Sequence, residues 1–239
     1  TLVDSSNTDD DTNDISIEGT SIDVAEVLGG AAQANDVTLN ATGGAITDSS
    51  GGSTGITGDV LTANAAGAMT LDSEVASIDA ATSAAGDITI TEADAVTLTD
   101  VSTNDGLIDV TAGGAVTATL VDSSNTDDDT NDISIEATAS DIEVDAITTG
   151  GANGDVTLTA NTAGGQAIVD ADANSSITAD DLSIDANGGI GSITTFPAST
   201  TWTAAGTAIG IDVNTLAAVA TNDDNSEIYL SETDALTIA

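Results

Sequence analysis

Three short loops carry acidic or amide side chains at every second position, a spacing that can wrap oxygen ligands around one hard cation. Each loop reads Asp-x-Asp-x-Asn. Carboxylate and amide oxygens are the ligands that Ca²⁺ prefers, and alternate positions of a tight loop can converge on one ion. The sequence therefore predicts calcium as a bound ion, with three sets of ligands: Asp9, Asp11 and Asn13; Asp127, Asp129 and Asn131; Asp170, Asp172 and Asn174.

These loops depart from the EF-hand pattern in two respects. The sixth position, which is glycine in an EF-hand, holds Asp14, Asp132 or Ser175, and glutamate is missing from the twelfth. Flanking helices are not predicted either. A calcium site here would be of another kind, shared between neighbouring segments of the fold. The alternative is a solvated cluster of Asp and Asn that forms turns.

The rest of the composition excludes most chemistry. The chain has 41 Asp and Glu but no Lys, Arg, His or Cys, which gives a formal charge of −41. A Ser–His triad, a cysteine nucleophile and a phosphate clamp are therefore all impossible. Binding to nucleic acid or to an anionic lipid surface is excluded because both need basic side chains. We expect no enzyme activity, and we expect divalent cations as partners.

An exact repeat sets the organisation of the chain. Residues 1–18 and residues 119–136 are identical, so we divide the chain into unit 1–118 and unit 119–239. A shorter period lies inside each unit, marked by an Asp before each strand-like segment. The first markers are Asp14, Asp36, Asp59, Asp87 and Asp109. Their mean spacing predicts five coils of about 23–24 residues in each unit, continuous from one unit to the next.

The strand-like segments predict an all-β protein. In 155–159, Val and Leu alternate with Asp and Thr, which is the pattern of a half-buried strand. Hydrophobic residues make up 40% of the chain but aromatic residues only 1%, so the core must be narrow. We predict a parallel β-solenoid of about ten coils, stacked about 4.8 Å apart. Tandem immunoglobulin-like β-sandwiches, one for each long unit, are the alternative.

The strings GDVTLTA, GGAVTAT and GDITITEADAVTLT resemble the repeats of giant bacterial surface proteins. These repeats are similar in style to those of filamentous-haemagglutinin-like adhesins and of the β-solenoid passenger domains of autotransporter adhesins. The resemblance covers nearly the whole chain but includes no diagnostic motif. It implies a right-handed parallel β-helix, a secreted or cell-surface location and a structural or adhesive role. It assigns no functional residue.

Together these observations predict a structural segment of an extracellular filament, sheath or giant surface protein that acts as a rigid acidic rod. The alternative is a calcium-dependent adhesin stalk or binding module. Other copies of the chain are expected partners. No apolar run reaches the length that crosses a bilayer. Because the chain starts in register with its own repeat, we expect it to be a segment of a longer array.

Overall fold

The structure, a computed structural model, describes most of the chain. The described residues are 2–5, 14–30, 35–51, 54–126, 129–150, 152–161, 164–171, 175–193, 206–220, 228, 230–232 and 235–239. These residues form strands, turns and bends, and none of them is helical. The prediction of an all-β protein is confirmed.

The strands are numbered in chain order. They are β1 Leu2–Asp4, β2 Ile15–Gly19, β3 Ile22–Val24, β4 Glu26–Leu28, β5 Val37–Ala41, β6 Ile46–Asp48, β7 Ile56–Ala65, β8 Met69–Thr82, β9 Ile88–Glu92, β10 Val96–Ser102, β11 Ile108–Ala112, β12 Val116–Asp122, β13 Ile133–Ala137, β14 Ile142–Thr148, β15 Val156–Ala160, β16 Ile168–Asp170, β17 Ser176–Ala186, β18 Ser192–Ile193, β19 Gly206–Thr207, β20 Ile209–Ala220, β21 Leu230–Glu232 and β22 Thr237–Ile238.

Successive coils pair in parallel, so the fold is a β-solenoid and not a pair of antiparallel sandwiches. One run of pairs joins β9 to β11, β11 to β13, β13 to β15 and β15 to β17, each in parallel register. Strand β12 crosses from residue 118 to residue 119, so the ladder is continuous where the two long units meet.

The solenoid has about eight turns, and our prediction of about ten was too high. The coils also differ in length. Val60 pairs with Ser77, 17 residues later, whereas Ser176 pairs with Gly210, 34 residues later. Part of the longest coil folds out as the antiparallel pair β18–β19, so its extra residues do not add a turn.

Stacked aliphatic side chains fill the interior. Each residue of the central column pairs in register with the residue one coil away, and each is at most 6% exposed. The column is Ile46, Met69, Ile88, Ile108, Ile133, Val156, Leu182 and Leu216. Identical or similar branched side chains pack well in such a parallel stack and exclude water from the tube.

The corners of the coil need small residues because neighbouring coils approach closely there. A Cβ at Gly86 would lie 2.6 Å from the carbonyl carbon of Gly67 in the coil below. A Cβ at Gly114 would lie 2.6 Å from the backbone nitrogen of Ala95. Strands rich in Val, Ile and Thr, joined by corners rich in Gly and Ala, therefore close each turn of the tube.

Candidate functional site

Six of the nine residues predicted to bind calcium lie outside the described residues. They are Asp9, Asp11, Asn13, Asp127, Asp172 and Asn174. The three that the structure describes are Asp129, Asn131 and Asp170. The convergence of three oxygen ligands within any one loop therefore stays a prediction.

Asn131 has a structural role in the loop that precedes β13. Its side chain is fully buried. The backbone N–H of Gly106, in the coil below, donates to its Oδ1 at 2.7 Å. Its Nδ2 donates to the carbonyl oxygen and to Oγ1 of Thr126, both at 2.6 Å. These bonds account for the conformation of Asn131 without a bound cation, since they use its oxygen and both amide hydrogens.

Asp129 and Asp170 have different surroundings. Asp129 is exposed in a turn, whereas Asp170 ends β16 and its Oδ1 accepts a hydrogen bond from the hydroxyl of Ser175. Within the described ranges, no group of three or more carboxylates is arranged to hold a metal ion. Of the three described residues, Asn131 has a side chain that is hydrogen-bonded to a neighbouring coil.

The Asp markers that open the strands have a role that the sequence did not reveal. The Oδ1 atom of Asp14 accepts a hydrogen bond from the backbone N–H of Asp36 in the next coil at 3.0 Å. The same bond joins Asp132 to Asp155 at 2.9 Å and Asp155 to Asp181 at 3.1 Å. Each of these three side chains therefore bonds the backbone immediately before the next strand. Their recurrence immediately before a strand was the signal that could have suggested this role.

Further carboxylates accept hydrogen bonds from neutral side chains one coil away. Thr47 donates to Asp23 at 3.2 Å, and Thr117 donates to Glu143 at 3.2 Å. Asn214 donates to Asp180 at 2.7 Å. Because the sequence has no basic side chain, hydroxyl, amide and backbone N–H donors take the place that salt bridges have in other proteins.

Glu92, the last residue of β9, is only 2% exposed. Its Oε2 accepts a hydrogen bond from Ser73 Oγ at 2.7 Å. Its Oε1 accepts bonds from the backbone N–H groups of Val75 at 3.2 Å and Asp94 at 3.3 Å. Burial raises the pKa of Glu92, although these hydrogen bonds oppose the rise. The sequence did not reveal this residue, because its burial and its bonds to Ser73 and Val75 depend on how β8 stacks against β9.

Carboxylates stacked in successive coils also perturb one another. Partial burial, reinforced by the negative charge of Asp48, raises the pKa of Asp72. Partial burial together with the charge of Asp100 raises the pKa of Asp79. Burial is also the main cause that raises the pKa of Asp155, and the charges of Asp132 and Asp181 add to this rise. The stacking of the coils therefore favours protonation at these positions.

A groove of about 540 Å³ lies across β5, β7 and β8. It is lined by small side chains: Thr38, Asn40, Ala41, Thr42, Asn64, Ala65, Ala66, Ala81, Thr82 and Ser83. None of the lining residues is aromatic or charged, and the groove brings together no acid–base pair. It offers hydroxyl and amide groups for hydrogen bonding but no group for covalent chemistry.

Comparisons with protein-family models, with curated proteins and with solved structures found no match to this chain. A search of the described residues for a helix long and apolar enough to cross a membrane also found none.

Proposed function

We propose that this chain is a structural segment of an extracellular filament, sheath or giant surface protein, in which it acts as a rigid acidic rod. The proposal is based mainly on the parallel ladder, which runs from β1 to β22 through the described strands. Hydrogen bonds between coils run along the axis of a solenoid, so a pull along that axis is shared among the bonds of each coil.

The chemistry of the surface supports the same role. Carboxylates accept hydrogen bonds from neutral donors of the neighbouring coil, as Asp23 does from Thr47 and Glu143 does from Thr117. An entirely acidic surface is therefore compatible with tight stacking. The chain offers no Lys or Arg to a trypsin-like protease, and a saline exterior would screen its charge of −41. Both properties suit a protein that works outside the cell.

A calcium-dependent adhesin stalk is the alternative function. It depends on the Asp-x-Asp-x-Asn loops, of which Asp129, Asn131 and Asp170 are described. Since Asn131 already makes hydrogen bonds through its oxygen and its amide, the described contacts favour the structural rod.

Immunogold electron microscopy of the source cells tests the proposed function. Antibodies raised against the 239-residue chain should label filaments, a sheath or the outer surface of intact cells, without permeabilisation. An antibody against a cytosolic protein provides the control for cell integrity. Labelling that appears only after permeabilisation would rule out the proposed location and role.

A further inference from the structure

Three dipeptides of the chain place glycine directly after an Asn or an Asp. They are Asp105–Gly106, Asn153–Gly154 and Asn187–Gly188. Because glycine has no side chain, its backbone nitrogen can approach the side-chain carbonyl carbon of the preceding residue without steric hindrance. Attack by that nitrogen closes a succinimide ring, the first step of spontaneous deamidation or isomerisation. These dipeptides are therefore the places where such backbone chemistry is sterically easiest.

At two of the three dipeptides, a hydrogen bond between coils engages the nitrogen of the glycine. The N–H of Gly188 donates to the carbonyl oxygen of Gln166. The N–H of Gly106 donates to Oδ1 of Asn131 at 2.7 Å. A nitrogen held in this way must leave its hydrogen bond before it can attack. The stacking of the coils therefore protects both dipeptides.

The side chain of Asn187 is also held by its neighbours. Its Oδ1 accepts a hydrogen bond from the N–H of Gly165 at 3.2 Å. Its Nδ2 donates to the carbonyl oxygen of Asn161 at 3.3 Å. Attack on the Cγ of Asn187 would have to break these bonds as well as the bond to Gln166.

The dipeptide Asn153–Gly154 has different surroundings. It lies between β14 and β15, and the side chain of Asn153 is exposed. The carbonyl oxygen of Gly154 accepts hydrogen bonds from Oγ1 of Thr149 at 2.7 Å and from the N–H of Asp180 at 2.8 Å. Within the described residues, however, no hydrogen bond engages the N–H of Gly154. Gly154 is anchored through its oxygen, and its nitrogen is available for attack.

We propose that Asn153 is a site of spontaneous deamidation in the folded protein, with water as the co-reactant. The nitrogen of Gly154 forms a bond to Cγ of Asn153, and the bond between Cγ and Nδ2 breaks. The proton lost by the nitrogen of Gly154 leaves with Nδ2 as ammonia. Water then opens the succinimide ring. Opening at Cγ gives aspartate at position 153, and opening at the backbone carbonyl carbon gives isoaspartate.

The products change the loop between β14 and β15 in two ways. Both replace a neutral amide by a carboxylate, in a chain that already has 41 acidic side chains. Isoaspartate also adds a methylene group to the backbone at position 153, which lies outside the strands. We therefore expect the ladder to keep its register while the loop changes shape. The proposal goes beyond the proposed function and does not depend on it.

Peptide mapping of the 239-residue chain by mass spectrometry tests the proposal. The folded chain is incubated at mildly alkaline pH and then digested with pepsin in acid, where succinimide formation from Asn is slow. We expect Asn153 to convert roughly tenfold faster than Asn187, because the nitrogen of Gly188 must first leave a hydrogen bond. Isoaspartate at position 153 identifies the succinimide route, since direct hydrolysis of the amide gives aspartate alone. Equal rates at the two Asn residues, or conversion at 153 without isoaspartate, overturn the proposal.

The unfolded chain provides the control for the role of the fold. Both Asn-Gly dipeptides are preceded by Ala, so their local sequences are closely matched. In concentrated urea, where the hydrogen bonds between coils are lost, Asn153 and Asn187 should convert at similar rates. A preference for Asn153 that is the same in urea as in the folded chain would mean that the structure does not set the rate, and would contradict the proposal.

A variant at the exposed side chain confirms the position of the site. Asn153→Gln lengthens the side chain, and the larger ring that Gln would have to form closes far more slowly. We expect the isoaspartate content of the aged protein, measured by labelling with an isoaspartyl methyltransferase, to fall to a small fraction of the wild-type value. The melting temperature should not change, since residue 153 is exposed. Labelling equal to that of the wild type would place the isoaspartate elsewhere and contradict the proposal.

Discussion

Glu92 occupies a core position that alanine fills in the following coils. It lies opposite Ala112, which in turn lies opposite Ala137. The larger side chain reaches the N–H groups of Val75 and Asp94 and the hydroxyl of Ser73. A carboxyl group here satisfies buried donors, but its charged form is penalised by desolvation. Protonation of Glu92 thus makes the packing of the corner after β9 depend on the pH.

We expect the solenoid to become more stable as the pH falls from 7 towards the ordinary pKa of glutamate, which is about 4.5. The folded-state pKa of Glu92 is raised, so its contribution is fully present below the unfolded pKa and is lost as the pH rises through the folded pKa. The raised pKa values of Asp72, Asp79 and Asp155 act in the same direction. Chemical denaturation at a series of pH values measures this dependence.

Substitutions at Glu92 measure the contribution of this residue to the pH dependence of stability. Glu92→Gln should increase the free energy of unfolding at pH 7 and flatten its pH dependence, because the amide keeps an acceptor without the charge. Glu92→Ala should reduce the free energy of unfolding by about 1–3 kcal/mol, since buried N–H groups lose their acceptor. Glu26→Gln makes the same charge change at an exposed position. Equal pH profiles for Glu92→Gln and Glu26→Gln would contradict the role of Glu92.

Asn131→Asp distinguishes a structural role from calcium binding. In the structure, the Nδ2 of Asn131 donates to the carbonyl oxygen of Thr126. Aspartate would lose that donor and place a carboxylate against the carbonyl oxygen. We expect a loss of about 1–3 kcal/mol in the free energy of unfolding, measured by denaturation in EDTA. Unchanged stability in EDTA together with tighter calcium binding, measured by calorimetry, would instead identify residue 131 as a ligand.

At the scale of the elements, the corners set how closely the coils stack. At Gly113, which follows β11, a Cβ would collide with the carbonyl oxygen of Ala93 and lie 2.9 Å from its carbonyl carbon. The N–H of Gly113 also donates to the carbonyl oxygen of Glu92 at 2.8 Å. At Gly67, which lies in the corner after β7, the nearest atom to a Cβ is 3.5 Å away. The two corners therefore differ in the space between coils.

Gly113→Ala should destabilise the fold by about 1–3 kcal/mol, because the added methyl group forces two coils apart. Gly67→Ala should be neutral or stabilising by up to about 1 kcal/mol, since the site has room and Ala reduces the freedom of the unfolded chain. Thermal or chemical unfolding of both variants at one salt concentration compares them. A Gly113→Ala variant as stable as Gly67→Ala would mean that the coils are not packed this closely.

At the scale of the whole molecule, the chain carries 41 acidic side chains and no basic side chain. Hydrogen bonds from Thr, Asn and backbone N–H groups satisfy individual carboxylates but leave their charge in place. The sum of the repulsions opposes folding and is reduced by screening. The stability of the solenoid is thus coupled to the ionic strength.

We expect the melting temperature to rise steadily when NaCl is increased from about 10 mM to about 1 M, over which the screening length falls from about 30 Å to about 3 Å. Circular dichroism measures this rise, with CaCl₂ compared at equal ionic strength. An additional rise in CaCl₂ that EDTA reverses would indicate specific calcium sites. A melting temperature that is the same in low and high salt would contradict the role of screening.

The composition and period of the sequence were sufficient to predict the class of fold. Alternation of Val and Leu with Thr and Asp identifies strands. The strand predicted at 155–159 agrees with the observed β15. The near-absence of aromatic residues favoured a narrow tube over a sandwich core. The absence of Lys, Arg, His and Cys excluded whole classes of chemistry. These conclusions depend on side-chain type and local spacing, which are properties of the chain alone.

Only the tertiary structure decided which residues meet across coils. Asp132 could be recognised as a marker, but its bond to the N–H of Asp155 depends on a register set by coil length. That length varies from 17 to 34 residues, so a mean period could fix neither the register nor the number of turns. The burial of Glu92 and the internal bonds of Asn131 follow from the same stacking. The sequence by itself determined a parallel acidic solenoid, and the stacking of unequal coils decided the environment of each carboxylate.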